Sequence, residues 1–285
     1  MTLPLFPNSE QTPFIPSENY KRYIRASKDE KRSLLERILK TYKLSASHLN
    51  RYKDCRKAFL YVCFLKARSL PSSAMLRGTM VHHMLDWIFK YHKEHKLFPE
   101  EIELEREFHS VFLSEIDKNR FNPNELDANE ILTLVKDYVE SQSEKWNMIA
   151  LTEFHVQQLQ WNKIRMTGLI DKIEFYGKNV NLVDYKTGNI FYALSSLKPG
   201  GSYYNQLLFY AVLIEQLKPD WNVQFVEMAM VSKTEQNSFL SKKIQVTDQN
   251  KAELKELIIE THDNISSFKF EGCNKDNCYW CNHYQ

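Results

Sequence analysis

From about Ser17 onward, apolar residues recur at three- and four-residue spacing, the period of an amphipathic helix. Ser45 and Ser47 offer N-caps for a helix predicted to run through about Leu65, and the same spacing returns from Met75 to about Tyr91. Two further helices are predicted over about 101–119 and 128–147. At Leu151 the period changes. His155-Val156-Gln157-Gln158-Leu159, Lys163-Ile164-Arg165-Met166 and Val180-Asn181-Leu182-Val183-Asp184 alternate or are rich in β-formers, which predicts three successive strands. Beyond a loop at Pro199-Gly200-Gly201 the pattern predicts a helix from about Tyr203 to Leu217. Strands near 222–232 and 239–246 and a helix from about Asp248 to Phe268 complete it.

Helices first, then β-β-β-α-β-β and a last helix, describe an α/β core with a large helical N-terminal part. The expected segments are a loose arm over 1–17, which holds four of the nine prolines, a helical region over 18–150 that carries Cys55 and His82, an α/β core over 151–270, and a cysteine-rich tail over 271–285 that packs back on the helical part.

Composition narrows the classes. With 285 residues, 43% of them hydrophobic, the chain has material for a sizeable core and is not a disordered protein. No run approaches the ~18 apolar residues of a membrane span, and Met1 to Pro16 lacks the basic-then-apolar layout of a signal peptide. A soluble protein of the cytoplasm, or of a host cytoplasm if phage-encoded, is expected. There is no G-x-x-x-x-G-K-[ST] phosphate loop, so no ATP-driven motor is visible.

The net charge of +2 conceals an uneven spread: residues 1–70 sum to +9, residues 71–160 to −7, and residues 161–285 to zero. The basic end interleaves aromatics, as in Tyr20-Lys21-Arg22-Tyr23-Ile24-Arg25 and Arg51-Tyr52-Lys53, a mixture able to meet phosphates and stack on bases. Lys21, Arg22, Arg25 and Arg51 are therefore candidate nucleic-acid contacts; a solvated helical face is the plainer alternative. Three of the five cysteines crowd into the last thirteen residues, which suits metal-ligating thiolates in a reducing compartment better than a disulfide framework.

The chemistry concentrates in Gly168-Leu169-Ile170-Asp171 and, thirteen residues after Asp171, Asp184-Tyr185-Lys186-Thr187-Gly188. Residues two apart on a strand share a face, so Asp184 and Lys186 project together while Tyr185 turns away, and Asp171, near the end of the preceding strand, can converge on them. Two carboxylates in a partly dry site repel unless a divalent cation such as Mg²⁺ or Mn²⁺ neutralises them. A lysine beside that cation can orient an attacking water and stabilise a phosphorane-like transition state. Asp-x-Lys alone is common as a surface ion pair. Its company is less so: His82 in Gly78-Thr79-Met80-Val81-His82 could complete a metal shell, with His83 as an alternative. Glu153 opens the first strand, and Gln206 and Tyr210 stand at i, i+4 on one helix face.

This ordered set, G-x-x-x-H, a strand-initial Glu, G-x-x-D, D-Y-K-T-G and Q-x-x-x-Y, resembles the PD-(D/E)XK nucleases. It is most similar to the RecB-like branch, which includes the nuclease domains of RecB and AddB and the CRISPR-associated adaptation nucleases. The resemblance runs from about Leu44 to the C-terminus. It implies a central mixed sheet flanked by helices, with His82, Asp171, Asp184 and the backbone carbonyl of Tyr185 as metal ligands and Lys186 positioning the nucleophilic water. Glu153 matches a recurrent acidic position, and Gln206 and Tyr210 match the motif that closes the site near DNA. The stretch from Ser45 to Cys55 is similar to the one before the first ligand of a [4Fe–4S] cluster in AddB-like nucleases, so Cys55, Cys273, Cys278 and Cys281 would hold such a cluster. The tail reads C-x4-C-x2-C where the family commonly has C-x2-C and a more distant third cysteine. A zinc site using the tail with His283 or Cys55, or an unliganded tail with Cys63 in the core, are the alternatives.

The reading is a metal-dependent deoxyribonuclease, an exonuclease on single strands or duplex ends, serving repair, recombination, replication or phage and defence processing. Its expected partners are DNA and a helicase or another repair or replication protein. A nuclease-derived module that binds DNA without cutting, and a metalloenzyme acting on other substrates, are the rival classes.

Overall fold

Capping residues set where the helices begin, and a computed structural model describes residues 14–69, 72–144, 149–233, 238–273, 275–276 and 278–283. The first part holds β1 (Phe14–Ile15), α1 (Glu18–Arg25), α2 (Lys28–Leu39), α3 (Ala46–Asp54), α4 (Arg56–Ala58) with a π-helical stretch (Phe59–Phe64), and β2 (Arg68–Ser69). Next come α5 (Ser73–His95), α6 (Glu101–Asn119) and α7 (Ala128–Ser141). The strands β3 (Ile149–Trp161), β4 (Ile164–Tyr176) and β5 (Asn179–Lys186) precede α8 (Ile190–Ser196) and α9 (Ser202–Leu217). The chain closes with β6 (Asn222–Lys233), β7 (Phe239–Gln245), α10 (Asp248–Ser266) and α11 (Tyr279–His283).

The mixed five-stranded sheet has the order β3-β4-β5-β6-β7. β4 and β5 are antiparallel, β5 and β6 parallel, and β6 and β7 antiparallel. Only a crossover can join the parallel pair, and α8 and α9 supply it. Between β3 and β4 the chain turns at Asn162 and Lys163, both at positive φ, the backbone sign that tight primed hairpin turns require.

The chain forms two compact units that cut across its linear segments. The first comprises Met1–Leu70, Val156–Gly168 and Asp248–Gln285; the second comprises Pro71–His155 and Leu169–Thr247. The first unit is built on Leu44, Leu49, Phe59, Phe64 and Leu65, all without solvent exposure, with Phe59 and Phe64 packing on Phe270. In the second, α9 packs on β5 and β6. Val183, Tyr185, Ala229 and Val231 share one buried cluster with residues of α5, α6 and α7. Among the described residues no helix is long and apolar enough to cross a membrane.

Several expectations change. The helix predicted from Ser45 to Leu65 is interrupted at Cys55, whose extended backbone both ends α3 and caps α4 with its thiol. α7 ends at Ser141, short of 147, as Gln142 leaves helical geometry. Residues 14 and 15 of the presumed arm pair with β2, and Ser17 caps α1; residues 1–13 lie outside the described residues. Glu153 is the fifth residue of β3 and Asp171 the eighth of β4, so neither stands at a strand end.

Candidate active site

The glycine of G-x-x-x-H lies at a close approach. A Cβ on Gly78 would stand 3.2 Å from Thr187 Oγ1, so a bare backbone lets α5 approach the segment that follows Lys186. One turn further along α5, His82 reaches Asp171, with His82 Nδ1 3.2 Å from Asp171 Oδ1. The other oxygen, Asp171 Oδ2, accepts the Tyr185 backbone N–H at 2.6 Å. Tyr185 thus enters the site through its backbone, while its ring packs in the core against Tyr138.

Asp184 and Lys186 share a face of β5 and form an ion pair. Gln206 Nε2 donates to Asp184 Oδ1 at 3.0 Å and to Tyr210 Oη at 2.9 Å, so the i, i+4 pair of α9 acts as one bracket on the carboxylate. Glu153 reaches the same place by a strained route. Its φ of 46° puts a non-glycine residue in the left-handed region in the middle of a strand, a conformation that costs ~1–3 kcal/mol and is concentrated at functional sites.

The electrostatics follow from burial. Desolvation pushes the Asp184 carboxyl up and the charge of Asp171 adds to the effect, while Lys186 opposes it. Burial alone would lower Lys186, yet the neighbouring Asp184 carboxylate raises it, so the side chain is an ammonium. His82 is likewise raised, because Asp171 outweighs the effect of desolvation. Burial, then the charges of Asp171 and Asp86, push Glu153 up to about 7.

His82, Glu153 and Asp171 each offer one ligand atom, and these atoms lie within 4.8 Å of one another. Two carboxylates with an imidazole form a donor set that fits a hard divalent cation of the Mg²⁺ or Mn²⁺ class. Asp184, whose oxygens meet Lys186 and Gln206, stands beside this group without sharing its spacing. The acidic position that motif reading leaves without a role is therefore one of the three groups placed to share a cation.

A second group is made of thiols. Cys55, Cys273, Cys278 and Cys281 bring their sulfurs within 4.8 Å of one another. The pairs Cys55–Cys281, Cys273–Cys281 and Cys55–Cys278 are each 3.7 Å apart. A Zn–S bond of about 2.3 Å in a regular tetrahedron sets its sulfurs about 3.8 Å apart. A four-iron cubane carries its thiolates outside the corners of the cube and spreads them further. These three separations match that tetrahedral spacing. Desolvation raises Cys55 and Cys278; it would raise Cys281 too, but the Cys273 N–H and neighbouring thiols bring that group down to about 7. The tail is also held by the Tyr52 hydroxyl on Lys269 O at 2.7 Å, Lys275 on Asp54 at 3.1 Å, and Trp280 against Tyr61. The side chain of His283 lies outside the described residues. Cys63 is buried apart from this group, and burial pushes its thiol up to about 11.

Of the basic candidates, Lys21, Arg22 and Arg25 line one cleft of about 470 Å³ between α1 and α2, together with Arg37. Arg51 is absent from that lining; it is half-buried, and its charge acts on Cys63. Sequence reasoning missed Arg37 and also Asp86, which lies one helical turn beyond His82 and whose Oδ1 is buried without a hydrogen-bond partner. The i, i+4 spacing from His82 was the available signal.

A family model described as the PD-(D/E)XK nuclease superfamily matches residues 43–285. No curated protein matches the chain. Among solved structures, a "Putative exonuclease" from Eubacterium rectale is similar at 12% identity with a TM-score of 0.56, covering 92% of this chain and 94% of that one. That likeness is one of fold. The structure of SSO0001, also 12% identical, gives a TM-score of 0.36 over 88% of this chain and 92% of that one, too low to carry an argument.

Proposed function

Because the chain belongs to the PD-(D/E)XK nuclease superfamily, we propose that it is a metal-dependent deoxyribonuclease acting as an exonuclease on single strands or duplex ends. The observation that carries the reading is the buried Asp184–Lys186 pair at the end of β5, in electrostatic contact with His82 and Asp171 of the metal-capable group. A purely structural ion pair would not need three further converging ligands beside it.

His82, Glu153 and Asp171 would hold the cation, with Asp184 at its edge. When bound, a divalent cation supplies Lewis-acid stabilisation of the charge that develops on the phosphoryl oxygens. Lys186, kept protonated by Asp184, donates to the attacking water or to a non-bridging oxygen as negative charge accumulates. Water adds to phosphorus and gives up a proton to solvent, the bridging P–O bond breaks, and the leaving oxygen takes up a proton from solvent in turn. Gln206 and Tyr210 hold Asp184 in the orientation that keeps Lys186 aimed. Asp171 is fixed by His82 and by the Tyr185 N–H, so this side of the site is assembled before a substrate arrives.

The thiolate group is read as structural, holding one ion such as zinc. Elemental analysis of protein purified without oxygen tests this: about one zinc per chain is expected, while iron with broad visible absorption would instead indicate the cluster that the family resemblance implies. DNA is the proposed partner, a helicase or repair protein would feed it, and the cytoplasm is the proposed location. The deciding experiment incubates the protein with end-labelled single-stranded, duplex and circular DNA, in Mg²⁺, Mn²⁺ or EDTA. Cation-dependent shortening of linear strands with circles left intact is expected. Equal products in EDTA would sink the metal-dependent reading, and cut circles would replace exonuclease by endonuclease.

A further inference from the structure

Next to Lys186 stand aromatic side chains that hydrolysis itself leaves without a task. Lys186 Nζ lies 4.8 Å over the ring of Tyr203, near the start of α9, and Tyr192 of α8 meets that ring edge-on at 5.8 Å. Beside Tyr192 in sequence, Phe191 is 75% exposed, more than any other large hydrophobic side chain among the described residues. α8 is anchored, since Ala193 and Ser196 are buried. The turn into α9 is tight as well: a Cβ on Gly201 would stand 2.3 Å from Ser196 O. Phe191 is thus displayed on a fixed support that begins four residues after Lys186.

We propose that Phe191, Tyr192 and Tyr203 form a stacking platform for the bases that flank the phosphodiester presented to Lys186, and that the substrate is consequently an unpaired strand. This inference rests on the nuclease reading and specifies its substrate. A base can lie on a protein ring only after leaving its own duplex stack, so an aromatic surface beside the catalytic lysine selects strands that are already unpaired. The contact of Tyr203 with Lys186 couples the two recognitions. Base and phosphate of one nucleotide are joined through a single sugar, so a base seated on the aromatic ledge brings its phosphate toward the ammonium. Stacking is tolerant of sequence, because every base has a π-face.

The test uses the full chain and two single-stranded oligodeoxynucleotides of equal length, one with normal bases and one with consecutive abasic positions. Cleavage in Mn²⁺ and binding by fluorescence anisotropy in EDTA are measured for the native protein, Phe191→Ala and Phe191→Trp. Each stacked base contributes enough that Phe191→Ala should lower cleavage efficiency and affinity for the normal strand about tenfold. Phe191→Trp should restore both, and the abasic strand should not distinguish the three proteins. Equal losses on both strands, or no loss on either, would overturn the platform. If the native protein cleaves neither strand, the nuclease reading fails, and the anisotropy difference between normal and abasic strands still decides the platform.

Discussion

The two metal-capable groups are built in opposite ways. In the second unit, His82, Glu153 and Asp171 project from α5, β3 and β4, elements tied by a sheet and a buried apolar cluster, and the charges of His82 and Asp171 already have partners in each other and in the Tyr185 N–H. In the first unit, Cys55 sits at a break between two helices, and its three companions lie in a tail whose regular structure among the described residues is the five-residue α11. One group needs no ion in order to fold. The other closes a long chain loop over four thiols, where a bound ion would take the part that a core plays elsewhere. Loss of metal should therefore silence one unit and loosen the other.

The largest expected effect is on turnover. Asp171→Ala should reduce DNA cleavage at least about a hundredfold, because it removes a charge that a cation requires, while thermal melting changes by no more than a few degrees. Lys186→Ala should reduce turnover by a comparable factor while keeping cation affinity, measured by calorimetry with Mn²⁺. Near-native turnover in either variant would place the chemistry elsewhere. Next in size, Cys278→Ser should lower the melting temperature by on the order of 10 °C and expose the tail to limited proteolysis, since the energy of a metal bound by these thiols would be folding energy. If instead it removed activity without altering melting, the contrast between the units would collapse.

A smaller effect concerns the basic end. Neutralising Lys21, Arg22, Arg25 and Arg51 together should flatten the dependence of single-strand binding on log salt, by ~0.7 for each phosphate that the protein no longer neutralises. Arg37, which lines the same cleft as the first three, should add to that change, and Arg51 should contribute least. The smallest effect is on pH. Burial, with a contribution from Lys66, lowers His48 from 6.5 to about 4, so the unfolded chain takes up the proton first. The associated stability is complete above about pH 6.5 and is lost as pH falls toward 4, on the order of 2 kcal/mol at pH 5. Between pH 7 and pH 5 the stability of the native protein should fall relative to that of His48→Gln by about that amount, since the opposing titration of Glu153 and His82 is common to both proteins.

How far the sequence could be read depended on whether a feature is local. α6 occupies 101–119, as its periodicity predicts, and Asp184 and Lys186 share a face because the strand period forces them to. Gln206 and Tyr210 form a bracket because of helical spacing. Features made by distant segments were hidden. The two-residue strands β1 and β2 are too short for any period, and the extended backbone at Cys55 interrupts a run whose apolar spacing looks continuous. The interleaving of the two units could not be seen either, because Val156–Gly168 belongs with the N- and C-terminal segments and not with the rest of its own strands. Glu153 read as a strand opening because the turn in its backbone, and not its neighbours in sequence, determines where it points.

That backbone sets a conflict between durability and work. Glycine at position 153 would adopt a φ of 46° without the steric cost that glutamate bears, so Glu153→Gly should melt at a higher temperature than the native protein even as it loses an acid of the site. Selection for heat resistance alone would move this position away from glutamate, and selection for cleavage would hold it there. A library of this chain sorted first for thermal survival and then for nuclease activity should therefore divide at residue 153, enriching glycine in the first sort and glutamate in the second.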